Sequence, residues 1–173
     1  MVRRREPEGC GRTMGARDTA LSDAGFDPIE TTILAIARFY WQAFAIPESQ
    51  SWLRALHLAE ERFGPRLGQD IGLGVLSAVQ AMRMSRRSCF QFNNPQCTGC
   101  AVIVSEHEQH FMAAFRAIRQ GSLRTARTHA MILCEGNDAT AMLDRMGDLA
   151  HAAYPQAPTR NWLGRKLPVA TTH

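Results

Sequence analysis

The sequence predicts an all-α protein, a single compact domain of about six helices that follows a disordered N-terminal leader. Apolar residues recur at intervals of three and four through most of the chain, which is the spacing of one helix face. Residues that start or end helices bracket these stretches. A half-buried strand would alternate apolar and polar residues, and no stretch does so convincingly. The chain of 173 residues is long enough for one domain with a real core.

The first 25 residues differ in composition from the rest of the chain. They are small, charged and without period, so residues 1–25 are predicted to form a disordered basic leader. No apolar stretch follows the basic start, which argues against a secretory signal and makes the cytoplasm the expected location. An organelle-targeting segment is the open alternative. Residues 26–154 are predicted to form the helical domain, and residues 155–173 a C-terminal tail.

The first helix has the clearest start signal in the chain. Asp27 is a capping residue, Pro28 fits the first helical position, and Glu30 stands where a capping box needs an acid. Isoleucine and aromatic residues follow at helical spacing. Pro47 then breaks the pattern, so the helix is expected to end just before it.

The second and third helices meet at a Gly-Pro break. The second begins near Ser49 or Ser51 and ends at Gly64, and the third runs from about Pro65 to Ser85. Three glycines fall in the first half of the third helix and lower its intrinsic helical propensity. The same glycines would permit close packing against a neighbouring helix.

A segment rich in cysteine separates the third helix from the fourth. We call residues 86–101 the cysteine loop, and its Asn93-Asn94-Pro95 sequence is typical of a turn. The short apolar run at residues 101–104 could form a strand. We interpret it instead as the start of the fourth helix, which ends near Gly121.

Two further helices complete the predicted domain. Ser122 can cap the fifth helix, which extends to Cys134. Asn137 or Asp138 can cap the sixth, which ends at Tyr154. The fourth and fifth helices are expected to form an antiparallel hairpin.

Four of the five cysteines form one pattern, Cys89-x7-Cys97-x2-Cys100 followed by Cys134. A Cys-x2-Cys pair lets two thiolates turn toward one ion, and two more thiolates can close a tetrahedral shell. The hairpin would return Cys134 to a position beside Cys97 and Cys100. The sequence therefore predicts a metal site whose ligands are Cys89, Cys97, Cys100 and Cys134.

The identity of the metal is less strongly specified by this pattern. A zinc ion is the favoured cofactor, because four thiolate ligands are typical of structural zinc sites. An iron–sulfur cluster also takes four cysteines, and the wide first gap between Cys89 and Cys97 leans toward a cluster. The apolar side chains of Phe90 and Phe92 would pack around either group. A chain that binds no metal is the third possibility.

Histidines and acidic residues supply a second set of candidate ligands. Residues 106–110 read EHEQH, but the two histidines are three apart rather than four, which misses the geometry of HExxH zinc sites. We interpret this segment as an exposed polar helix face. His129 and His151 each stand alone in a helix and predict no site.

The predicted function follows from two features of the cysteine pattern. Four cysteines fill all four positions of a tetrahedral metal site, and no arrangement of residues typical of catalysis accompanies them. The sequence predicts a non-enzymatic binding, accessory or regulatory protein that is stapled by its metal, with another protein as its partner. Replacement of Cys97 or Cys134 would then unfold the domain. The net charge of +4 is compatible with an acidic partner. No apolar run approaches the ~20 residues that cross a bilayer, so no membrane partner is predicted.

Two other functional classes stay open at this stage. The Cys89-x7-Cys97 spacing is loosely similar to the cysteine loops of cluster-binding winged-helix transcription regulators, although Cys134 has no counterpart there. An iron–sulfur redox- or iron-responsive regulator is therefore one alternative, with nucleic-acid contacts from the arginines of segments 3–5 and 83–87. The other alternative is an enzyme that uses its cysteines in thiol chemistry.

Overall fold

The computed structural model describes residues 11–155, and within them it contains seven α-helices and one small sheet. The all-α prediction is confirmed. In chain order the elements are β1 Thr19–Ala20, α1 Pro28–Ala45, a 3₁₀ turn Pro47–Ser49, α2 Ser51–Phe63, α3 Pro65–Ser85, α4 Thr98–Ala101, β2 Ile103–Val104, α5 Glu106–Arg119, α6 Leu123–Leu133 and α7 Thr140–Ala153. Residues 1–10 of the predicted leader, with the basic residues 3–5, and residues 156–173 of the predicted tail lie outside the described residues.

Helix α1 begins as its sequence predicts. The Asp27 side chain accepts a hydrogen bond from the Glu30 backbone N–H at 2.8 Å, and the Glu30 carboxylate accepts one from the Asp27 N–H at 3.1 Å. From α5, Arg116 donates to Glu30 at 2.6 Å and Arg119 donates to Asp27 at 2.8 Å. The capping box therefore also ties the start of α1 to the end of α5.

Helix α3 packs against both α2 and α7, and its glycines make this possible. A Cβ atom at Gly68 would lie 2.6 Å from the carbonyl oxygen of Ala59 in α2. A Cβ atom at Gly74 would lie 3.1 Å from Leu149 of α7. The glycines that lower the helical propensity of α3 thus allow two other helices to approach it closely.

Helices α5 and α6 form the predicted hairpin. The chain reverses at Gly121, whose φ of 73° suits glycine. Phe111 and Phe115 of α5 are fully buried, as are the small residues Ala126 and Ala130 of α6. This pairing of large and small side chains fills the seam between the two helices.

The interpretation of residues 101–104 as the start of a helix is wrong. Ile103–Val104 is a short strand that pairs antiparallel with Thr19–Ala20, and α5 begins only at Glu106. The reason is a second capping box: the Ser105 hydroxyl accepts from the Glu108 N–H at 3.3 Å, and the Glu108 carboxylate accepts from the Ser105 N–H at 2.8 Å.

The partner strand comes from a segment that the sequence assigned to the leader. Residues 19–25 belong to the fold, because the Leu21 N–H donates to the Val102 carbonyl at 2.8 Å and Leu21 and Ala24 pack against the core. The predicted boundary at residue 25 therefore lies too far along the chain. A short segment can order itself in this way when it finds the open edge of another strand.

One end of the bundle gathers the start of the cysteine loop and several helix termini. The Arg83 guanidinium near the end of α3 lies 4.3 Å from the ring centre of Phe44 in the last turn of α1. The Ser85 hydroxyl donates to the carbonyl of Asp138, just before α7, at 2.5 Å. Helix α2 begins at this same end, directly after the 3₁₀ turn. We call this region the loop end of the bundle.

Candidate functional site

The four predicted ligands differ widely in exposure. Cys89 is exposed, Cys97 is half-buried, and Cys100 and Cys134 are buried. Cys97 is the residue before α4, and its carbonyl accepts from the Cys100 N–H at 3.1 Å. The structure therefore brings Cys97 and Cys100 together in one turn, as the Cys-x2-Cys spacing predicts.

Cys134 packs into the protein core. Its side chain is fully buried, and its thiol sulfur lies 3.8 Å from the sulfur of Met142 in α7. Burial raises the pKa of the Cys134 thiol above its usual value. The neutral thiol is therefore the favoured form in the absence of a bound metal.

Residues 11–155 contain no group of three or more His, Cys, Asp or Glu side chains placed to hold a metal ion. The hairpin that was expected to carry Cys134 to the other cysteines is present, but Cys134 contacts α7 instead. The described residues therefore do not bring the four cysteines together as one ligand set. The four-cysteine site, with zinc or an iron–sulfur cluster as its cofactor, stays a prediction.

A buried ion pair holds the cysteine loop in place. Arg38 of α1 donates to the Glu108 carboxylate at 2.8 and 3.0 Å, and it also donates to the carbonyls of Ala101 at 2.7 Å and Ile103 at 2.5 Å. Asn93, within the loop, donates to Glu108 through its backbone and side chain, each at 2.9 Å. We call Arg38, Asn93 and Glu108 the anchor network.

The interpretation of residues 106–110 as an exposed polar face is wrong for Glu108. Its side chain is 0 % exposed, and every donor of the anchor network converges on it or on the neighbouring carbonyls. Arginine suits this role, because its planar guanidinium can bind a carboxylate with two hydrogen bonds and still reach two carbonyl groups. The buried charges are therefore paired and hydrogen-bonded, as burial requires.

Aromatic packing covers the same part of α1. The Trp41 ring stacks on Phe90 with centroids 4.4 Å apart and meets the edge of Phe111 at 5.1 Å. Phe92 lies 6.2 Å from the same ring. The two loop phenylalanines, which the sequence assigned to a metal shell, thus pack against α1.

Two of the three arginines near the start of the cysteine loop, Arg83 and Arg86, contact other parts of the protein. Arg86 is buried and donates to the carbonyls of Leu133 at 2.7 Å and Ser88 at 2.9 Å. It connects α3, the cysteine loop and the end of α6. Arg83 lies over Phe44, and Arg87 is exposed. Nucleic-acid contacts through this segment stay a prediction, with Arg86 unable to contribute while it holds these bonds.

Two histidines that the sequence treated separately are brought together by the hairpin. The Nδ1 atoms of His110 in α5 and His129 in α6 lie 2.9 Å apart, and both rings are half-buried. His107, one turn earlier, accepts from the Gln91 N–H at 2.8 Å. Burial, together with the charge of Arg86, lowers the pKa of His107.

Large apolar side chains are exposed where α1 turns into α2. The exposed fractions are 36 % for Phe44, 52 % for Ile46, 46 % for Trp52 and 49 % for Leu53. These four residues follow one another around the 3₁₀ turn at the loop end, and we call them the corner patch. Exposed apolar side chains that occur singly are ordinary, whereas four of them close together in the chain make this turn a candidate docking surface.

Comparison of the chain with protein-family models, curated proteins and solved structures finds no match. Within residues 11–155, no helix combines the length and apolar character that crossing a membrane requires. A function for this protein has to be inferred from the geometry at the loop end and along the hairpin.

Proposed function

We propose that this protein is a non-enzymatic binding protein that docks another protein on its corner patch. The observation that carries the proposal is the grouping of Phe44, Ile46, Trp52 and Leu53, each more than one third exposed, around a single turn. A cytoplasmic location, where cysteines stay reduced, is part of the proposal.

The chemistry of the patch favours a protein partner. Tryptophan and arginine are enriched among the few residues that supply most of the binding energy at protein interfaces. Arg54, two residues after Trp52, is exposed, and Arg83 is stacked on Phe44 at 4.3 Å. Glu48 is the acid of the intervening turn. A partner segment with apolar and acidic side chains would match this combination.

The patch is also built on a fixed support. Ser51, between the turn and Trp52, is buried, and its hydroxyl lies 2.8 Å from that of Ser49. Ala55, one turn after Ser51 in α2, is fully buried. A surface that is already ordered loses less conformational entropy on binding than a flexible one.

The test compares two exposed apolar residues in a direct binding measurement. A partner captured from cells with the full-length protein is purified and titrated against wild type, Trp52→Ser and Leu73→Ser. Leu73 on α3 is 55 % exposed and lies outside the patch. We expect Trp52→Ser to raise the dissociation constant by about tenfold or more. Leu73→Ser is expected to leave the dissociation constant unchanged. Wild-type affinity of the Trp52→Ser variant would refute the proposal, as would self-association that this variant abolishes.

Metal binding at the cysteine loop is a second candidate function. What supports it is the turn at Cys97 and Cys100, where consecutive backbone N–H groups fold back on the Cys97 carbonyl. An anaerobic absorption spectrum with elemental analysis tests it. One zinc per chain, or iron with broad absorption near ~400 nm, that disappears in Cys97→Ser would support it. Anaerobically purified protein with neither metal would rule it out.

A further inference from the structure

The α5–α6 hairpin brings together two histidines whose pairing cannot be predicted from their spacing in the sequence. His110 and His129 lie on opposite sides of the seam, 19 residues apart in the chain. Their Nδ1 atoms are 2.9 Å apart, and their ring centroids are 5.1 Å apart with 37° between the planes. Both side chains are partly accessible, so small solutes can reach them.

Two neutral imidazoles can form this hydrogen bond only if one proton lies between the two Nδ1 atoms. One ring must donate its Nδ1–H and the other must accept with its Nδ1 lone pair. Two doubly protonated rings would place an N–H against an N–H and two positive charges together. Burial and the nearby His110 lower the pKa of His129, which keeps its ring neutral at physiological pH.

The same spacing suits two ligands on one metal ion. Imidazole nitrogens bind first-row ions at about 2.0–2.1 Å. Two such nitrogens at a right angle are then about 2.9 Å apart, and at a tetrahedral angle about 3.3 Å apart. The observed 2.9 Å between the Nδ1 atoms is the length of their shared hydrogen bond. It is close to both values, so small rotations of the two rings would turn both lone pairs toward one first-row ion, a class that imidazole suits.

We propose that His110 and His129 form a two-imidazole site for a divalent first-row transition ion. Both Nδ1 lone pairs turn toward the ion, and water fills the other coordination positions. The ring that carried the Nδ1 proton releases it to solvent and takes one up on Nε2, so the pair stays neutral. The bound ion would crosslink α5 to α6.

This site is independent of both the corner patch and the predicted cysteine site. His110 and His129 lie in the interior turns of α5 and α6, and nitrogen ligands replace sulfur ligands. His107 is not counted as a ligand, because its Nδ1 already accepts from the Gln91 N–H. The proposal thus rests on two side chains and one distance.

Calorimetric titration of the reduced full-length protein with Ni²⁺ alone tests the site. We expect His110→Gln and His129→Gln each to weaken Ni²⁺ binding at least tenfold, and His57→Gln, an exposed histidine of α2, to leave it unchanged. Circular dichroism establishes that each variant is folded. Absence of Ni²⁺ binding by wild type, or wild-type affinity in both hairpin variants, would overturn the proposal.

Two spectroscopic measurements do not depend on the variants. With Co²⁺ in place of Ni²⁺, ligation by histidine alone gives no thiolate-to-metal charge-transfer absorption, whereas that absorption would assign the ion to the cysteines and refute a histidine site. In amide NMR spectra of wild type, Ni²⁺ should broaden signals around residues 110 and 129. Broadening confined to the cysteine loop would refute the proposal equally.

Discussion

The middle and the end of α1 have similar apolar sequences but opposite surroundings. In the middle, Arg38 is bonded to Glu108 and Trp41 is packed under Phe90. About one turn after Trp41, Phe44 is exposed, and Ile46 beyond it is more exposed still. The difference is that the cysteine loop covers the middle of the helix, whereas at its end only the Arg83 guanidinium is seen to stack on Phe44, and both Phe44 and Ile46 stay exposed.

This comparison shows what separates a core from a binding surface in a small helical protein. Apolar side chains become core where another segment supplies both packing and partners for buried polar groups. The anchor network does this for the loop on α1. At the corner patch the same kinds of side chain stay exposed, which is the basis of the proposal that another protein docks there.

The largest expected effect is the loss of charge in the anchor network. Glu108→Gln would leave the Arg38 guanidinium buried without its counter-ion, and removal of one partner of a buried pair costs about 3–5 kcal/mol. Urea unfolding measures the change. Glu106→Gln is the control, because the Glu106 ion pair with Arg17 is largely exposed and is expected to contribute about 1 kcal/mol or less. Equal losses in both variants would contradict the role of the network.

Trp41 and Trp52 allow the covered and the exposed part of the surface to be compared directly. Trp41 is 3 % exposed and Trp52 is 46 % exposed. Trp41→Ala is expected to lower the free energy of unfolding by about 3–5 kcal/mol, while Trp52→Ala should lower it by about 1 kcal/mol or less. Chemical denaturation of both variants checks the difference. A Trp52→Ala variant as unstable as Trp41→Ala would mean that the corner patch is part of the core.

Acidification should loosen the connection between the cysteine loop and the end of α6. Hydrogen bonds from the Ser88 hydroxyl and the Arg87 N–H lower the pKa of Glu135 from 4.5 to about 2. Because the folded pKa lies below the unfolded one, this stabilisation is complete above about pH 4.5 and disappears as the pH falls through about 2. Urea midpoints between these pH values should therefore fall more steeply for wild type than for Glu135→Gln. Parallel pH profiles would contradict this assignment.

The smallest effect concerns reactivity and leaves stability unchanged. Cys89 is exposed in the cysteine loop, whereas Cys134 is fully buried with a raised thiol pKa. An alkylating reagent should therefore modify Cys89 in the native protein and Cys134 only after unfolding, because the accessible thiolate is the reactive form. Peptide mass spectrometry resolves the two sites. Rapid native modification of Cys134 would show that the end of α6 opens.

Local signals in the sequence predict much of this fold. The capping box at Asp27 and Glu30 and the reversal at Gly121 depend on residues that are close together in the chain, and the structure has both. Side chains whose partners lie far away could not be placed in the same way. Glu108 looks like any acid in a first helical turn until Arg38, 70 residues earlier, is known to face it.

The candidate sites show the same limit. The turn that joins Cys97 and Cys100 can be predicted from their spacing. The contact between Cys134 and Met142 cannot, because it depends on how α7 packs against α6. His110 and His129 could have been paired only by counting residues outward from the turn at Gly121, with the register of the hairpin already known. The short strand at Ile103–Val104 forms only by pairing with Thr19–Ala20. It could not be predicted locally, because Thr19–Ala20 has no strand pattern of its own.

The central claim is that protein side chains, through the anchor network, hold the cysteine loop on α1 and α5. The most direct test is the thermal unfolding midpoint of the reduced protein before and after metal is removed with a strong chelator. Anchoring by Arg38, Asn93 and Glu108 predicts the same midpoint and the same cooperative transition in both samples. A fall of more than about 5 °C after chelation, seen in wild type and in His110→Gln but not in Cys97→Ser, would contradict it, because a metal bound at the cysteine loop must then stabilise the native state.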